Sequence, residues 1–222
     1  QKEVGEQIEN YLNEDGIVII NEDKKKNPVT VYAESTPNPG VQKFVANKNL
    51  VSQTFEFTSI EEAKLSPFAT ALFPFPFIKA VFIDKNYVSI TKYDIVEWDS
   101  ITLELREFVK SYIEDGKEMV SAVAAQVLEK TTAQLDGAYE ALDDTSKEII
   151  NILEEHIKPA VASDGGNIVF ESYDAISKTV KVILQGACSG CPSSTFTLKS
   201  GIEAMLKEML AGRVEIVEAI NG

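Results

Sequence analysis

The sequence predicts an α/β protein of the α+β kind, with two small domains joined by a helical linker. Three observations carry this. The chain has 222 residues, more than one typical domain needs. Short runs of alternating apolar and polar residues interleave with stretches whose apolar positions recur every three or four residues. Between two such patterned regions lies a segment of alanines, glutamines and acids with no strong apolar face.

Residues 1–27 read as an N-terminal extension with no chemistry of its own. A short helical signal (Val4, Ile8, Tyr11, Leu12) is followed by a turn at Asp15-Gly16 and an apolar run, Ile17 to Ile20, that could add a strand. Residues 28–116 form the first domain. Val29, Val31 and Ala33 alternate with polar residues as a half-buried strand does. Thr36-Pro37-Asn38-Pro39-Gly40 is a turn, since two prolines fix φ and glycine permits the left-handed region, and Gln42 to Ala46 is the returning strand. Glu61 to Leu72 is predicted helical, restarted at Ser66-Pro67 because proline suits a first helical turn. Lys79–Asp84 and Tyr87–Thr91 make a hairpin across Lys85-Asn86. Ser100 is placed to cap a helix with Leu103, Leu105, Phe108, Val109 and Tyr112 on its apolar face, ending at Gly116. Phe68, Phe73, Phe75 and Phe77 are assigned to the core, although Pro74 and Pro76 leave open an exposed aromatic loop.

Residues 117–144 are the linker, with Val120, Val123, Val127 and Leu128 at helical spacing. Residues 145–222 are the second domain, of α-β-β-α-β order. Asp143, Asp144 and Thr145 open a helix, Thr145 to Ile157, that Pro159 ends. A turn at Asp164-Gly165-Gly166 leads to strands at Asn167–Tyr173 and Thr179–Leu184. A helix at Ser193–Leu210 presents Leu198, Ile202, Met205 and Met209 on one face. Gly212 stops it, and Val214–Ala219 is the last strand.

Composition narrows the function. Thirty-five acidic against twenty-one basic residues give a formal charge of −14, spread along the chain, which repels phosphate backbones and argues against nucleic-acid partners. No apolar run reaches the ~20 residues that span a bilayer. No basic region precedes an apolar stretch at the N-terminus, so a cytoplasmic location is expected; the start at Gln1 leaves a removed organellar leader open. No grouping of His, Ser and Asp suggests hydrolytic chemistry, and the chain reads as a non-enzyme. His156, the only histidine, sits near a helix C-terminus, where a partly charged imidazole is favoured, or simply at the surface.

The chain has two cysteines, Cys188 and Cys191, inside Gly186-Ala187-Cys188-Ser189-Gly190-Cys191-Pro192. A strand leads into this loop and a helix leaves it. Gly186 and Gly190 free the backbone to fold around an object, Pro192 sets the first helical turn, and Ser193 or Ser194 can supply a capping oxygen. Thiols near a helix start are expected to favour the thiolate, which iron, zinc and disulfide exchange all need. Two intervening residues let both sulfurs reach one small metal centre. Tetrahedral zinc and four-iron clusters take four ligands, so a complete four-thiolate site needs two chains, each giving one pair. Thiol–disulfide redox chemistry and a structural zinc site remain as alternatives; against the first, the pair has no preceding aromatic and no internal proline.

Gly186-Ala187-Cys188, Gly190-Cys191-Pro192 and Ser194, followed by Thr197-Leu198-Lys199 and Gly201-Ile202-Glu203, closely resemble the NifU-like (Nfu-type) iron–sulfur carrier domain, as do Ile157-Lys158-Pro159 and Asp164-Gly165-Gly166 upstream. Glu34-Ser35-Thr36-Pro37-Asn38-Pro39, Lys43-Phe44, Ser66-Pro67-Phe68-Ala69 and Leu72-Phe73 resemble the N-terminal domain of the same proteins, although Phe75-Pro76-Phe77 stands where a glycine-containing turn is expected. The resemblance implies an iron–sulfur cluster scaffold or carrier, with a [4Fe-4S] cluster bridging two subunits through Cys188 and Cys191, although two pairs of thiolates would also hold [2Fe-2S]. It implies a homodimer on cluster binding, upstream cluster assembly proteins and apo iron–sulfur clients as partners, and a cysteine-free first domain serving partner contact or stability.

Overall fold

A computed structural model describes residues 28–124, 139–190 and 192–221, the side chains of residues 192–194 excepted. The extension 1–27, and with it the expected helix and strand there, lies outside the described residues, as do Val127 and Leu128. Five strands build the first sheet: β1 (Val31–Ser35), β2 (Val41–Ala46), β3 (Phe55–Phe57), β4 (Ile78–Asp84) and β5 (Tyr87–Lys92). Their order is β1-β2-β5-β4-β3, every neighbour antiparallel. The short α1 (Ile60–Ala63) and α2 (Pro67–Leu72) and the long α3 (Trp98–Glu114) cover one face. Phe44, Val88, Ile90, Val81, Ile83, Phe55 and Phe57 point to that side and pack on Phe68, Leu72, Leu105 and Val109. Phe68 and Phe77 are buried and Phe73 and Phe75 pack against them, so the aromatics are core.

Three expectations for this region are corrected. β3 was not expected; Phe55-Glu56-Phe57 alternates but is too short to announce a strand. Helix α3 begins at Trp98, with Glu97 as its N-cap, so Ser100 lies within the first turn. Leu103 is exposed rather than on the apolar face. It stands two residues from both Ile101 and Leu105, and that spacing carries it about 200° around a helix, away from the core. Beyond α3, Met119 and Val120 pack on the first core, and Ser66, which caps α2, donates to the Met119 carbonyl.

The second sheet has the order β6-β7-β8, with β6 (Gly166–Asp174) and β7 (Thr179–Gly186) antiparallel and β7 and β8 (Ile216–Asn221) parallel. The parallel pair requires the crossover that α6 (Pro192–Met209) supplies. Asp143 caps α4 (Asp144–Ile152) through the Thr145 and Ser146 amides. Pro159 does not end this helix. A π-helical turn, Leu153–Ile157, widens the ladder, and α5 (Lys158–Ser163) starts anew with Pro159 in its first turn, where a missing N–H costs nothing. His156 lies on the wide turn with its side chain 46% exposed. On α6 the buried face runs Ile202 and Leu206 and continues to Leu210 just past its end, steps of four, which turns Met209 outward. The last strand starts at Ile216, two residues later than expected.

Candidate functional site

Strand β7 ends at Gly186, and the loop Ala187–Gly190 hands the chain to α6. Gly186 has φ +62, and a Cβ there would lie 2.8 Å from the Gly165 carbonyl and 2.9 Å from the Phe82 ring. Only glycine passes. Opposite it on β6 sits Gly166, where a Cβ would meet Cys188 Sγ and the Gln185 carbonyl at 2.7 Å each. The turn at Asp164-Gly165-Gly166 and the cysteine loop are therefore one packed unit, joined by the Ala187 amide donating to the Gly165 carbonyl at 3.2 Å.

The unit rests on the outer face of the first sheet. One cross-strand row, Glu34–Lys43–Ser89–Phe82–Glu56, runs through all five strands on the side away from the helices. Lys43 Nζ, ion-paired to Glu34, donates to the carbonyls of Ala162 and Ser163 at 3.2 and 2.9 Å. Ser89 Oγ donates to the Gly165 carbonyl at 2.6 Å. Phe82 lies against Gly186, whose amide donates to Glu56 Oε1 at 2.9 Å. From the neighbouring row the Tyr87 hydroxyl donates to the Gly166 carbonyl at 3.1 Å. At the mouth of the cleft the Asn38 side-chain amide donates to the carbonyls of Ala187 and Ser189, at 3.1 and 3.2 Å, the residues on either side of Cys188. An open cleft of about 400 Å³ runs beside this contact, bounded by Asn38, Glu56, Lys79, Lys92, Gly186 and Gly190.

Cys188 is 7% exposed, and burial, with Asp164 nearby, pushes its thiol up to about 12. The thiolate expected near a helix start is not favoured at this position; Cys188 precedes the first residue of α6 by four positions, and desolvation opposes the charge. Burial likewise raises the Glu56 carboxyl, against the opposing effect of the Gly186 amide, and raises the Tyr87 hydroxyl well above its ordinary value. Cys191 and the side chains of Ser193 and Ser194 lie outside the described residues. Among the described residues no group of three or more His, Cys, Asp and Glu side chains is placed to hold a metal ion.

A family model described as "Scaffold protein Nfu/NifU N terminal" matches residues 31–116, and one described as "NifU-like domain" matches residues 149–217. NifU-like protein 5, mitochondrial, of Arabidopsis thaliana is 33% identical over 200 residues, which cover 90% of this chain and 71% of that protein. The chain belongs to the NifU-like iron–sulfur cluster scaffold family. NifU-like protein 4, mitochondrial, of Arabidopsis thaliana is 34% identical over 193 residues, covering 86% of this chain and 66% of the relative. The NFU1 iron-sulfur cluster scaffold homolog, mitochondrial, of Drosophila willistoni is 32% identical over 201 residues, covering 88% and 65%. This chain thus spans about two thirds of the length of these relatives.

Several residues of the two NifU-like signatures meet in space. Asn38 and Lys43, from the first, contact Ala187 and the carbonyls before Asp164, from the second. Sequence reasoning singled out Cys188 but missed Glu56, Tyr87 and Ser89. Their signal was weak: a polar residue on the solvent side of a half-buried strand is ordinary, and only the docked second domain gives these three a role.

Proposed function

We propose that this chain carries an iron–sulfur cluster as cargo: Cys188 and Cys191 from each of two subunits hold one [4Fe-4S] cluster and release it to apo-proteins. The single observation that carries the reading is the Cys188 loop itself, a glycine-bounded strand-to-helix junction in a chain whose two cysteines are three positions apart. The pair supplies two soft sulfur ligands, half of what a cluster takes. Membership of a scaffold family supports the same reading. A half-site per subunit keeps the cargo at a dissociable interface, which suits delivery better than permanent electron transfer. In this reading residues 145–222 bind the cluster, residues 28–116 serve partner contact or stability, and residues 117–144 link them.

The partners are upstream assembly proteins that load the chain and apo-clients that unload it. The protein transfers a preformed group and is not an enzyme, and its acidic surface leaves no role for nucleic acid. Thiolate ligands need a reducing compartment, which the cytosol and the mitochondria of the relatives' names both offer. Anaerobic reconstitution with iron and sulfide, followed by metal analysis and sizing of the same sample, tests the reading. The expected result is about four irons per two chains, as [4Fe-4S] chemistry requires, in a dimer. A chain that binds no iron and forms a Cys188–Cys191 disulfide with turnover would replace it with thiol redox chemistry.

A further inference from the structure

We infer that the outer face of the first sheet is a latch for the cysteine loop, closed in the cargo-free chain and opened before a cluster can bridge two subunits. The inference rests on the reading of Cys188 and Cys191 as cargo ligands and adds to it a task for the first domain.

The contact has the chemistry of something made to close and open. The hydrogen bonds of Asn38, Lys43, Tyr87, Ser89 and Glu56 all join a side chain of the first domain to the backbone of the second; the first four donate to carbonyls, and Glu56 accepts from the Gly186 amide. The two apolar cores do not merge: one gathers around Phe68 and Leu105, the other around Ile149 and Leu206. Among the described residues the contacting face of the first sheet adds a small apolar cluster of its own, Val45, Phe82 and Tyr87, separate from both cores. Polar intrachain domain interfaces without a shared core separate readily. Parting this one leaves the first core intact, and in the second it has to loosen only the loop that carries Cys188, itself a member of that core.

Its position is what matters. Asn38 holds the peptide carbonyls on both sides of Cys188, and the Cys188 sulfur packs down on Gly166 rather than out to solvent. A bridging cluster needs sulfurs from two chains to converge on one centre. With the Cys188 sulfur covered and the first domain seated on its loop, a second subunit cannot bring its own loop alongside. Docking and bridging compete for the same residues, so cargo binding selects the open state.

Two variants separate the latch from the fold. Asn38→Asp keeps the side-chain oxygen that accepts from the Gly40 amide but turns a carboxylate toward the Ala187 and Ser189 carbonyls. Ser89→Ala deletes the bond to Gly165 with little change of shape. In a Cys191→Ser background the only thiol is Cys188, and its alkylation rate by iodoacetamide at fixed pH reports opening of the apo-chain. Each variant should react about tenfold faster than the parent, the scale of losing a buried hydrogen bond on a local opening equilibrium. Unchanged rates in both, with melting curves showing folded protein, overturn the latch. In the two-cysteine chain the same variants should load iron and sulfide faster than wild type, to the same final stoichiometry. Slower loading would overturn it too, since the first domain would then be positioning the loop for cargo. A wild-type chain that takes no iron defeats the cargo reading instead, and the alkylation rates alone then decide the latch.

Discussion

The Gly186 amide donates to Glu56 Oε1 across 2.9 Å, joining the last residue of β7 to the middle of β3. Each partner explains the other's oddity. Gly186 has φ +62 at the end of its strand, and its N–H turns to the first sheet rather than to a strand of its own. Glu56 sits between two core phenylalanines with its carboxyl turned to the opposite face and partly buried by the docked loop.

That burial has a pH signature. The Glu56 carboxyl is raised above its ordinary 4.5, first by desolvation and, to a lesser degree, by the charge of Glu62, with the Gly186 amide pulling the other way. A group whose folded pKa is raised favours the folded state below its unfolded pKa, and that advantage is lost as pH rises through the folded value. Ionised Glu56 therefore costs stability at pH 7. Glu56→Gln keeps an oxygen for Gly186 and removes the charge, so it should melt higher than wild type at pH 7. The two melting temperatures should approach each other as pH falls toward 4.5. A variant that melts lower at pH 7 would mean the charged hydrogen bond outweighs desolvation.

Gly166→Ala tests the fit between the glycine turn and the cysteine loop. The Cys188 sulfur, 2.7 Å from the added methyl, can rotate aside, but the Gln185 carbonyl at the same distance is backbone and must move. Overpacking of this kind costs about 1–3 kcal/mol. Urea unfolding should show a loss of that size, and the displaced Cys188 should lower iron loading. Wild-type stability would show that the two strands part there without penalty.

Much of this architecture is legible in the sequence for a simple reason: local signals settle what local forces decide. Thr36-Pro37-Asn38-Pro39-Gly40 has few conformations open to it, and the turn forms where expected. The helix stop at Gly116 follows from its φ of +67. What failed was decided at a distance. Ser100 could cap a helix, but Trp98 joins its first turn and bonds its indole N–H to the Pro39 carbonyl. Pro159 ends helices in isolation, yet a wide turn before it lets the chain continue beneath the glycine turn. The cysteine motif announced the loop, while the docking of that loop and the glycine turn on Asn38, Tyr87 and Ser89 depends on contacts between residues 76 to 151 positions apart. No window of sequence holds that information.

Ser66 offers a control far from the cysteines. Fully buried, it caps α2 by accepting from the Ala69 amide at 3.0 Å and donates its own proton to the Met119 carbonyl. Ser66→Ala leaves both an amide and a carbonyl without these partners, which costs roughly 2–3 kcal/mol. Denaturant titration should find that loss, with iron loading of the folded fraction unchanged. A loss below about 0.5 kcal/mol, the size of an ordinary surface change, would mean that water replaces the side chain.

Removal of the cysteines or of the cargo should have matching effects on assembly. If the cluster is what joins two subunits, then Cys188→Ala and Cys191→Ala each leave a subunit with one sulfur, and two such subunits offer two ligands where a four-iron cluster takes four. Both variants should therefore lose bound iron and the dimer together, while keeping the circular dichroism of the wild-type apo-chain. Because Cys188 is buried, a small cost is expected: the change from a mercaptomethyl to a methyl side chain deletes the sulfur from a packed loop, and about 1 kcal/mol of stability goes with it. Chelation of iron from the loaded wild type should dissociate the dimer to the same extent as either substitution, and sedimentation velocity reads all three states on one scale. A dimer that persists after chelation, or in either variant, would mean that protein surfaces hold the subunits together and that the cluster only occupies an interface already made.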